Sequence, residues 1–133
     1  MTAAQSQMLQ LEVSRVAIER TKNPQIRHFA EATVEFVGRA KEHLDGIARE
    51  FGMSLPRIPP DEVRNAHQAL GKAADPDHEY LRSILADITK VSDLYKDESS
   101  NGKNPVLAQY AQAALPRLRQ HYRSAHDLLV GRG

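Results

Sequence analysis

Two segments of this chain repeat one another, and this repeat constrains the fold more than any other feature. Residues 23–32 read NPQIRHFAEA, and residues 104–113 read NPVLAQYAQA. In each copy Asn can cap a helix by accepting backbone N–H groups, and Pro at the first helical position loses no intrahelical hydrogen bond. Each copy therefore starts a helix directly after another has ended, which is typical of the corner of an αα-hairpin. Two such hairpins predict four long helices.

Composition indicates one all-α domain. The chain has 133 residues, enough for a single core, so we expect one domain over residues 1–133. Aromatic residues make up 5% and Trp is missing, so the core must come from Leu, Val, Ile and Ala, which suits close-packed helices. The absence of Cys excludes disulfides, thiolate metal sites and cysteine nucleophiles.

Charge and hydropathy argue against nucleic-acid binding and against a transmembrane helix. Lys and Arg number 18 against 17 for Asp and Glu, with no long run of one sign, so we predict no nucleic-acid binding. No segment is apolar enough to predict a transmembrane helix, and the first residues lack the pattern of a signal peptide. We expect a soluble bundle.

Apolar periodicity and proline positions predict five helices. They cover residues of about 3–22, 24–51, 61–73, 77–99 and 105–129. The second helix has the strongest apolar stripe, from Ile26 to Phe51, and Gly52 after it suits a left-handed C-cap. The end of the fourth helix is expected to fray over Asp97–Gly102, and Pro116 should interrupt and bend the fifth.

The connection over residues 53–76 decides the topology. Its extended residues, which include Pro56 and Pro59, and its short helix could span about 45 Å, whereas a 27-residue helix spans about 40 Å. The connection can therefore cross the whole bundle and let the helices on either side of it run parallel. This predicts a ferritin-like four-helix bundle of two αα-hairpins, with a long crossover that carries a short extra helix.

Glu12 and His121 are the candidate binding residues. Glu12 falls within the apolar stripe of the first helix, and His121 falls within the stripe of the last. In the crossover topology, a rise of about 1.5 Å per residue places both in one layer of the bundle. Facing carboxylate and imidazole groups are the usual ligands of a metal site in a helical bundle.

A hydrogen-bonded polar pair in the core, or two unconnected edge residues, is the favoured interpretation of Glu12 and His121. A di-metal bundle needs Glu-x-x-His on two helices, and that motif does not occur in this chain. In the same layer the other two helices offer only Val37 and Ile88. We therefore expect no cofactor, with a divalent metal or iron as the alternative.

Asp77 and Tyr80 share one face at the start of the helix over residues 77–99. Asp there suits the helix dipole, and Tyr can anchor the core with its hydroxyl outward, so both are interpreted as structural polar residues. The remaining histidines are expected on the surface, at its edge or in the linker helix. No catalytic motif, phosphate loop or dinucleotide fingerprint occurs, so no catalytic residue is predicted.

With these residues in view, the chain resembles a bacterial ferritin-like family catalogued as domain of unknown function 4142, often labelled predicted outer membrane proteins. The resemblance rests on Met8–Ala17, Asn23–Ala30, Asp77–Leu81, and Tyr110–Leu118 with His121. It implies an exported four-helix bundle in the periplasm or cell envelope, although a cytoplasmic location stays open. Relatives often carry His where this chain has Val37 and Ile88, so a metal site in relatives would be reduced here.

The resulting hypothesis is a non-enzymatic bundle that presents helix faces to an unknown protein partner in the cell envelope. Self-association through an apolar strip is a further possibility. The alternative is a metal-binding or metal-dependent redox bundle with a reduced site at Glu12 and His121.

Overall fold

The computed structural model describes residues 3–53 and 60–132, and these ranges fold into five α-helices with no strand. The helices are α1 (Ala3–Arg20), α2 (Pro24–Glu50), α3 (Pro60–Lys72), α4 (Pro76–Asn101) and α5 (Pro105–Arg132). The all-α class is therefore as predicted. The extended part of the connection, with Pro56 and Pro59, lies outside the described residues.

The repeated segment forms the same cap in both copies. Asn23 Oδ1 accepts from the backbone N–H groups of Gln25 at 2.9 Å and Ile26 at 3.3 Å. Asn104 Oδ1 accepts from Val106 and Leu107 at the same two distances. Because Pro24 and Pro105 follow at the first helical positions, both corners start a helix through the same local chemistry.

The end of α2 is set by Gly52. Its φ of +65° is a left-handed conformation that glycine adopts without the steric cost of a Cβ. The N–H of Gly52 bonds to the carbonyl of Arg49, and the N–H of Met53 bonds to that of Ala48, which is a Schellman motif. The predicted C-cap is present. Phe51, predicted on the apolar face, is instead 44% exposed because the helix ends before it.

Two other predicted ends differ. α4 does not fray over Asp97–Gly102 as predicted but continues as a helix to Asn101, whose side chain donates to Asp97 one turn earlier. α5 continues through Pro116 to Arg132. A proline inside a helix removes one backbone bond, and the remaining turns on both sides are long enough to hold the helix together.

Hydrogen bonds between side chains define the helix directions. On α1, Gln7 bonds to Tyr95 and Ser14 bonds to Tyr80, so α1 and α4 run in opposite directions. α1 and α2 form one hairpin and α4 and α5 form the other. It follows that α2 and α4 run in the same direction, and that the connection between them returns along the bundle.

α3 packs across α1 and α4 on one side of the four long helices. Its Leu70 is 3% exposed and belongs to the main core, next to Val16 and Ala17 of α1. The helix thus closes the α1–α4 side. None of the helices in the described ranges is long and apolar enough to cross a membrane.

The core combines an apolar centre with an unusually polar face of α1. α2 and α4 contribute buried aliphatic and aromatic side chains: Ile26, Phe29, Ala30, Val37, Tyr80, Leu81, Ile84, Ile88 and Val91. α1 contributes Val13 and Ala17, but it also buries four polar residues: Ser6, Gln7, Gln10 and Ser14. Buried polar groups destabilise a core unless they find partners. Gln7 and Ser14 find partners on α4, whereas Ser6 Oγ has no hydrogen-bond partner within the described residues.

Candidate functional site: two polar layers and the α2–α5 groove

A polar layer crosses the bundle and takes one residue from each long helix. Ser14 of α1 lies 2.7 Å from the hydroxyl of Tyr80 on α4. The side chain of Thr33 on α2 lies near Tyr80, and its Oγ1 lies 3.1 Å from Nε2 of His121 on α5. We call Ser14, Tyr80, Thr33 and His121 the central layer. Burial raises the pKa of Tyr80 to about 12, and the neighbouring side chains of Ser14 and Thr33 offset part of that rise.

The proton of Thr33 determines the tautomer of His121. Thr33 Oγ1 donates its single proton to the carbonyl of Phe29 at 2.9 Å, because a carbonyl can only accept. Thr33 Oγ1 must then accept from His121, so Nε2 of the imidazole carries the proton and Nδ1 has a free lone pair. The layer is therefore a set of directed hydrogen bonds.

His121 lies between two aromatic rings of α2. The ring centroids are 4.8 Å from Phe29 and 5.4 Å from Phe36, and both pairs are nearly parallel. Burial among these apolar groups disfavours the charged imidazolium and lowers the pKa of His121 to about 4. At neutral pH the imidazole of His121 is uncharged, packs between the two rings and donates a hydrogen bond to Thr33.

A second polar layer lies farther along the bundle, toward the start of α1. Gln7 donates to the Tyr95 hydroxyl at 3.0 Å, and Tyr95 packs edge to face on Tyr110 with centroids 5.8 Å apart. Tyr110 donates to the carbonyl of Ala40 at 3.3 Å. Burial raises the pKa of both tyrosines, so both hydroxyls stay protonated. We call Gln7, Tyr95 and Tyr110 the upper layer.

The predicted pair of Glu12 and His121 is not formed. Glu12 contacts Arg15 at 3.5 Å and Nε2 of His67 on α3 at 3.7 Å, and its side chain is 36% exposed. The reason is that α1 and α5 are not neighbours, since α1 packs on α2, α3 and α4. Glu12 therefore faces the side that α3 covers. The predicted height was close, because Ser14, two residues later, is the residue of α1 in the layer of His121.

The structure also corrects the orientation of Tyr80. Its hydroxyl was expected outward, but Tyr80 is 1% exposed and its hydroxyl bonds to Ser14 inside the bundle. The buried hydroxyl of Ser14 on α1 is the hydrogen-bond partner of Tyr80, where a water molecule at the surface had been expected. Asp77 lies in the first turn of α4, where a carboxylate suits the helix dipole, and borders Leu70 of α3.

Ser14, Thr33 and Gln7 were not predicted from the sequence to belong to polar layers. One signal was available: Gln7, Gln10 and Ser14 recur at helical spacing along α1, beside its apolar stripe. A polar stripe next to an apolar one is consistent with a solvated edge as well, so the sequence did not distinguish the two cases. Only the opposing tyrosines of α4 make it an internal stripe.

A groove runs between α2 and α5, on the side of the bundle opposite α3. These two helices are the least closely packed neighbours among the long helices, and the space between them is about 530 Å³. Small side chains widen it, and two aromatic rings border it: Phe36, which packs on His121 of the central layer, and Tyr110 of the upper layer. The rings that border the groove are thus positioned by contacts of the two polar layers, Phe36 by His121 and Tyr110 by its hydrogen bond to Ala40.

The charges of this α2–α5 groove leave one cation unpaired among the described residues. Arg39 pairs with Glu35 one turn earlier on α2. Arg117 of α5 has no ion pair within the described ranges and lies close enough to Tyr110 to offset part of the rise in its pKa. His43 packs against Tyr110 with ring centroids 4.8 Å apart. The groove is therefore apolar at its walls and positive at one edge.

In the part of the chain that the structure describes, no three His, Asp or Glu side chains lie close enough together to hold a metal ion. In place of the predicted Glu12 with His121, Glu12 has the imidazole of His67 as its neighbour, at 3.7 Å. Two such ligands would need water or a further group to complete a coordination shell.

Comparison with known proteins assigns the chain to a family without assigning an activity. Neither the curated proteins nor the solved structures contain a match. The model of one family, described as a domain of unknown function, matches residues 1–128. The sequence resemblance is thereby confirmed over nearly the whole length: the chain belongs to the family DUF4142.

Proposed function

We propose that this protein is a ferritin-like bundle of the bacterial cell envelope, and that it binds an acidic amphipathic helix of a partner protein in the α2–α5 groove. The ferritin-like part is supported by the parallel directions of α2 and α4 and by the long connection between them. The location in the periplasm or envelope is supported by the sequence resemblance alone.

The observation that carries the proposal is the contrast between the two sides of the bundle. α3 packs on the α1–α4 side and inserts Leu70 into the core. The α2–α5 side is the opposite surface between the two hairpins, and no helix of the described residues covers it. The docking of α3 supports the proposal, because it is an example of a helix that packs between two long helices of this bundle through an apolar anchor.

The size and charge of the groove favour a helical, acidic occupant. From Ala32 to His43 the groove follows about three turns of α2, roughly 17 Å, which is the contact length of a short helix. Its apolar walls would bury the apolar face of that helix. Arg117 at the edge would pair with a carboxylate, because Arg39 is already neutralised by Glu35.

Site-specific photocrosslinking tests the proposal. A benzophenone amino acid is placed at Ala113, which lines the groove, and at the neighbouring Gln112, which is exposed and does not line it. In the producing bacterium, Ala113 should crosslink to a peptide that is acidic and amphipathic, and Gln112 should not. Mass spectrometry identifies the crosslinked segment.

A binding assay with the synthetic peptide completes the test. Arg117→Glu should abolish binding, because it reverses the charge at the groove edge. Arg123→Glu on another face of α5 should retain it. Equal crosslinking from both positions, a crosslinked segment without acidic residues, or binding that survives Arg117→Glu would each overturn the proposal.

A further inference from the structure

A second pocket lies on another face of the bundle, between the outer sides of α4 and α5. Its volume is about 480 Å³, in the range of small-molecule sites. It is lined by Lys96 of α4 and by Arg119, Arg123 and His126 of α5, with Tyr122 at its wall. It shares no residue with the α2–α5 groove. We call it the basic pocket.

The basic pocket has an excess of positive side chains, although the chain as a whole is nearly neutral. It contains three cations, Lys96, Arg119 and Arg123, against a single carboxylate, Asp93. The whole sequence carries a formal net charge of only +1. None of the three cations takes part in an ion pair within the described ranges, whereas other cations such as Arg15, Arg39 and Arg64 do.

The spacing of two of the cations places like charges on the same face of α5. Arg119 and Arg123 are four residues apart, and side chains at that spacing are neighbours on a helix surface. Like charges in that arrangement repel each other. An anion between them would remove the repulsion and accept hydrogen bonds from both planar forks.

The aromatic wall of the basic pocket indicates a ligand that carries a planar group in addition to an anionic group. Tyr122 is 39% exposed, and its ring lies nearly parallel to that of His126, at an angle of 13° and a centroid distance of 6.2 Å. Two exposed rings in similar planes offer a flat face beside the cations. A planar group can stack there while its anionic group reaches the arginines.

We infer that the basic pocket binds a phosphate group attached to a planar ring, such as that of a nucleoside monophosphate. Arg119 and Arg123 hold the phosphate oxygens with Lys96 as a third cation, and Tyr122 receives the ring. The inference is independent of the proposed partner helix, because the two sites have no residue in common.

Isothermal titration calorimetry with four probes tests this inference: AMP, adenosine, inorganic phosphate, and vesicles of phosphatidylglycerol in phosphatidylcholine. AMP should bind more tightly than phosphate, and adenosine should not bind. Tyr122→Ala should weaken AMP binding and leave phosphate binding unchanged. Binding to the vesicles but not to AMP would identify a lipid headgroup as the source of the phosphate and would overturn the nucleotide-like ligand.

Charge variants provide the matched control. Arg119→Gln with Arg123→Gln should weaken AMP binding about tenfold or more, since each removes a hydrogen bond to a charged group. Arg49→Gln with Lys103→Gln removes the same charge from exposed positions outside the pocket and should leave binding unchanged. Equal loss in both double variants, or no loss in the first, would contradict the inference. Thermal unfolding of each variant confirms that it is folded.

Discussion

His121 and Asp87 are the two residues whose ionisation the fold changes most directly near neutral pH. Burial between Phe29 and Phe36 lowers the pKa of His121 to about 4 from its ordinary 6.5. Burial raises the pKa of Asp87 to about 6 from 3.8, and Lys90 offsets part of that rise. In both cases the folded state disfavours the charged form, but the two groups affect stability in opposite directions.

His121 should make the protein less stable as the pH falls. Its folded pKa lies below the unfolded value, so its stabilising contribution is complete above about pH 6.5 and is lost as the pH falls toward 4. We expect the loss to be of order 1–3 kcal/mol in the free energy of unfolding. Urea unfolding at pH 7.0, 5.5 and 4.5 measures it.

The matched variants for this prediction are His121→Gln and Asp87→Asn. Gln retains a donor for Thr33 and does not titrate, so this variant should lose less stability on acidification than the wild type. Asp87 contributes stability below pH 3.8 that disappears as the pH rises through 6, so Asp87→Asn should stabilise the protein at pH 7 and not at pH 4. An unchanged pH profile in His121→Gln would exclude the assigned role of burial.

At the scale of single elements, the helices are defined by local chemistry that the two hairpins share. α2 and α5 begin with the same Asn–Pro cap, with the same pair of hydrogen-bond distances. α4 begins after Asp75–Pro76, where Asp75 accepts from the N–H of His78. Each of these helices therefore begins at a position that its own residues determine.

Asn23→Ala and Asn104→Ala should each lower the free energy of unfolding by about 1 kcal/mol, because each leaves two backbone N–H groups without a partner. The two corners are at opposite ends of the bundle, so the double variant should show the sum to within about 0.5 kcal/mol. Guanidinium unfolding measures all three variants. Asn65→Ala, at an exposed position inside α3, is the control and should cause no loss. A loss at only one corner would contradict the equivalence of the two hairpins.

At the scale of the whole molecule, three long-helix neighbour pairs are closely packed and the fourth is open. Hydrogen bonds of the two polar layers tie the α1–α4 pair and also reach across the loosely packed α2–α5 pair. α3 covers the first pair. The bundle is thus asymmetric although its hairpins are duplicated, and this asymmetry creates the groove.

Distances between spin labels test the helix directions. The chain has no Cys, so single cysteines can be introduced and labelled without background. Labels at Glu50 and Ser100 should lie roughly 15–20 Å apart, because α2 and α4 end at the same end of the bundle. Labels at Glu50 and His78 should lie roughly 30 Å apart. All three positions are exposed. The reverse order of distances would require an up-and-down bundle and would refute the parallel arrangement.

The sequence alone determined the helical class, the caps and most helix ends, because these depend on residues within one or two turns. The height predicted from the rise per residue was close for α1, where Ser14 and not Glu12 lies in the layer of His121. It was wrong for α2 and α4, because Thr33 and Tyr80 occupy that layer in place of Val37 and Ile88. The tertiary structure decided which side chains contact each other. Glu12 contacts His67 and Ser14 contacts Tyr80, because the rotation of α1 against its three neighbouring helices determines which of its side chains point inward. One residue position corresponds to a rotation of about 100°, so a shift of one position changes the contact partner. The groove between α2 and α5 likewise results from how all the helices pack together, and this packing cannot be predicted from local sequence patterns.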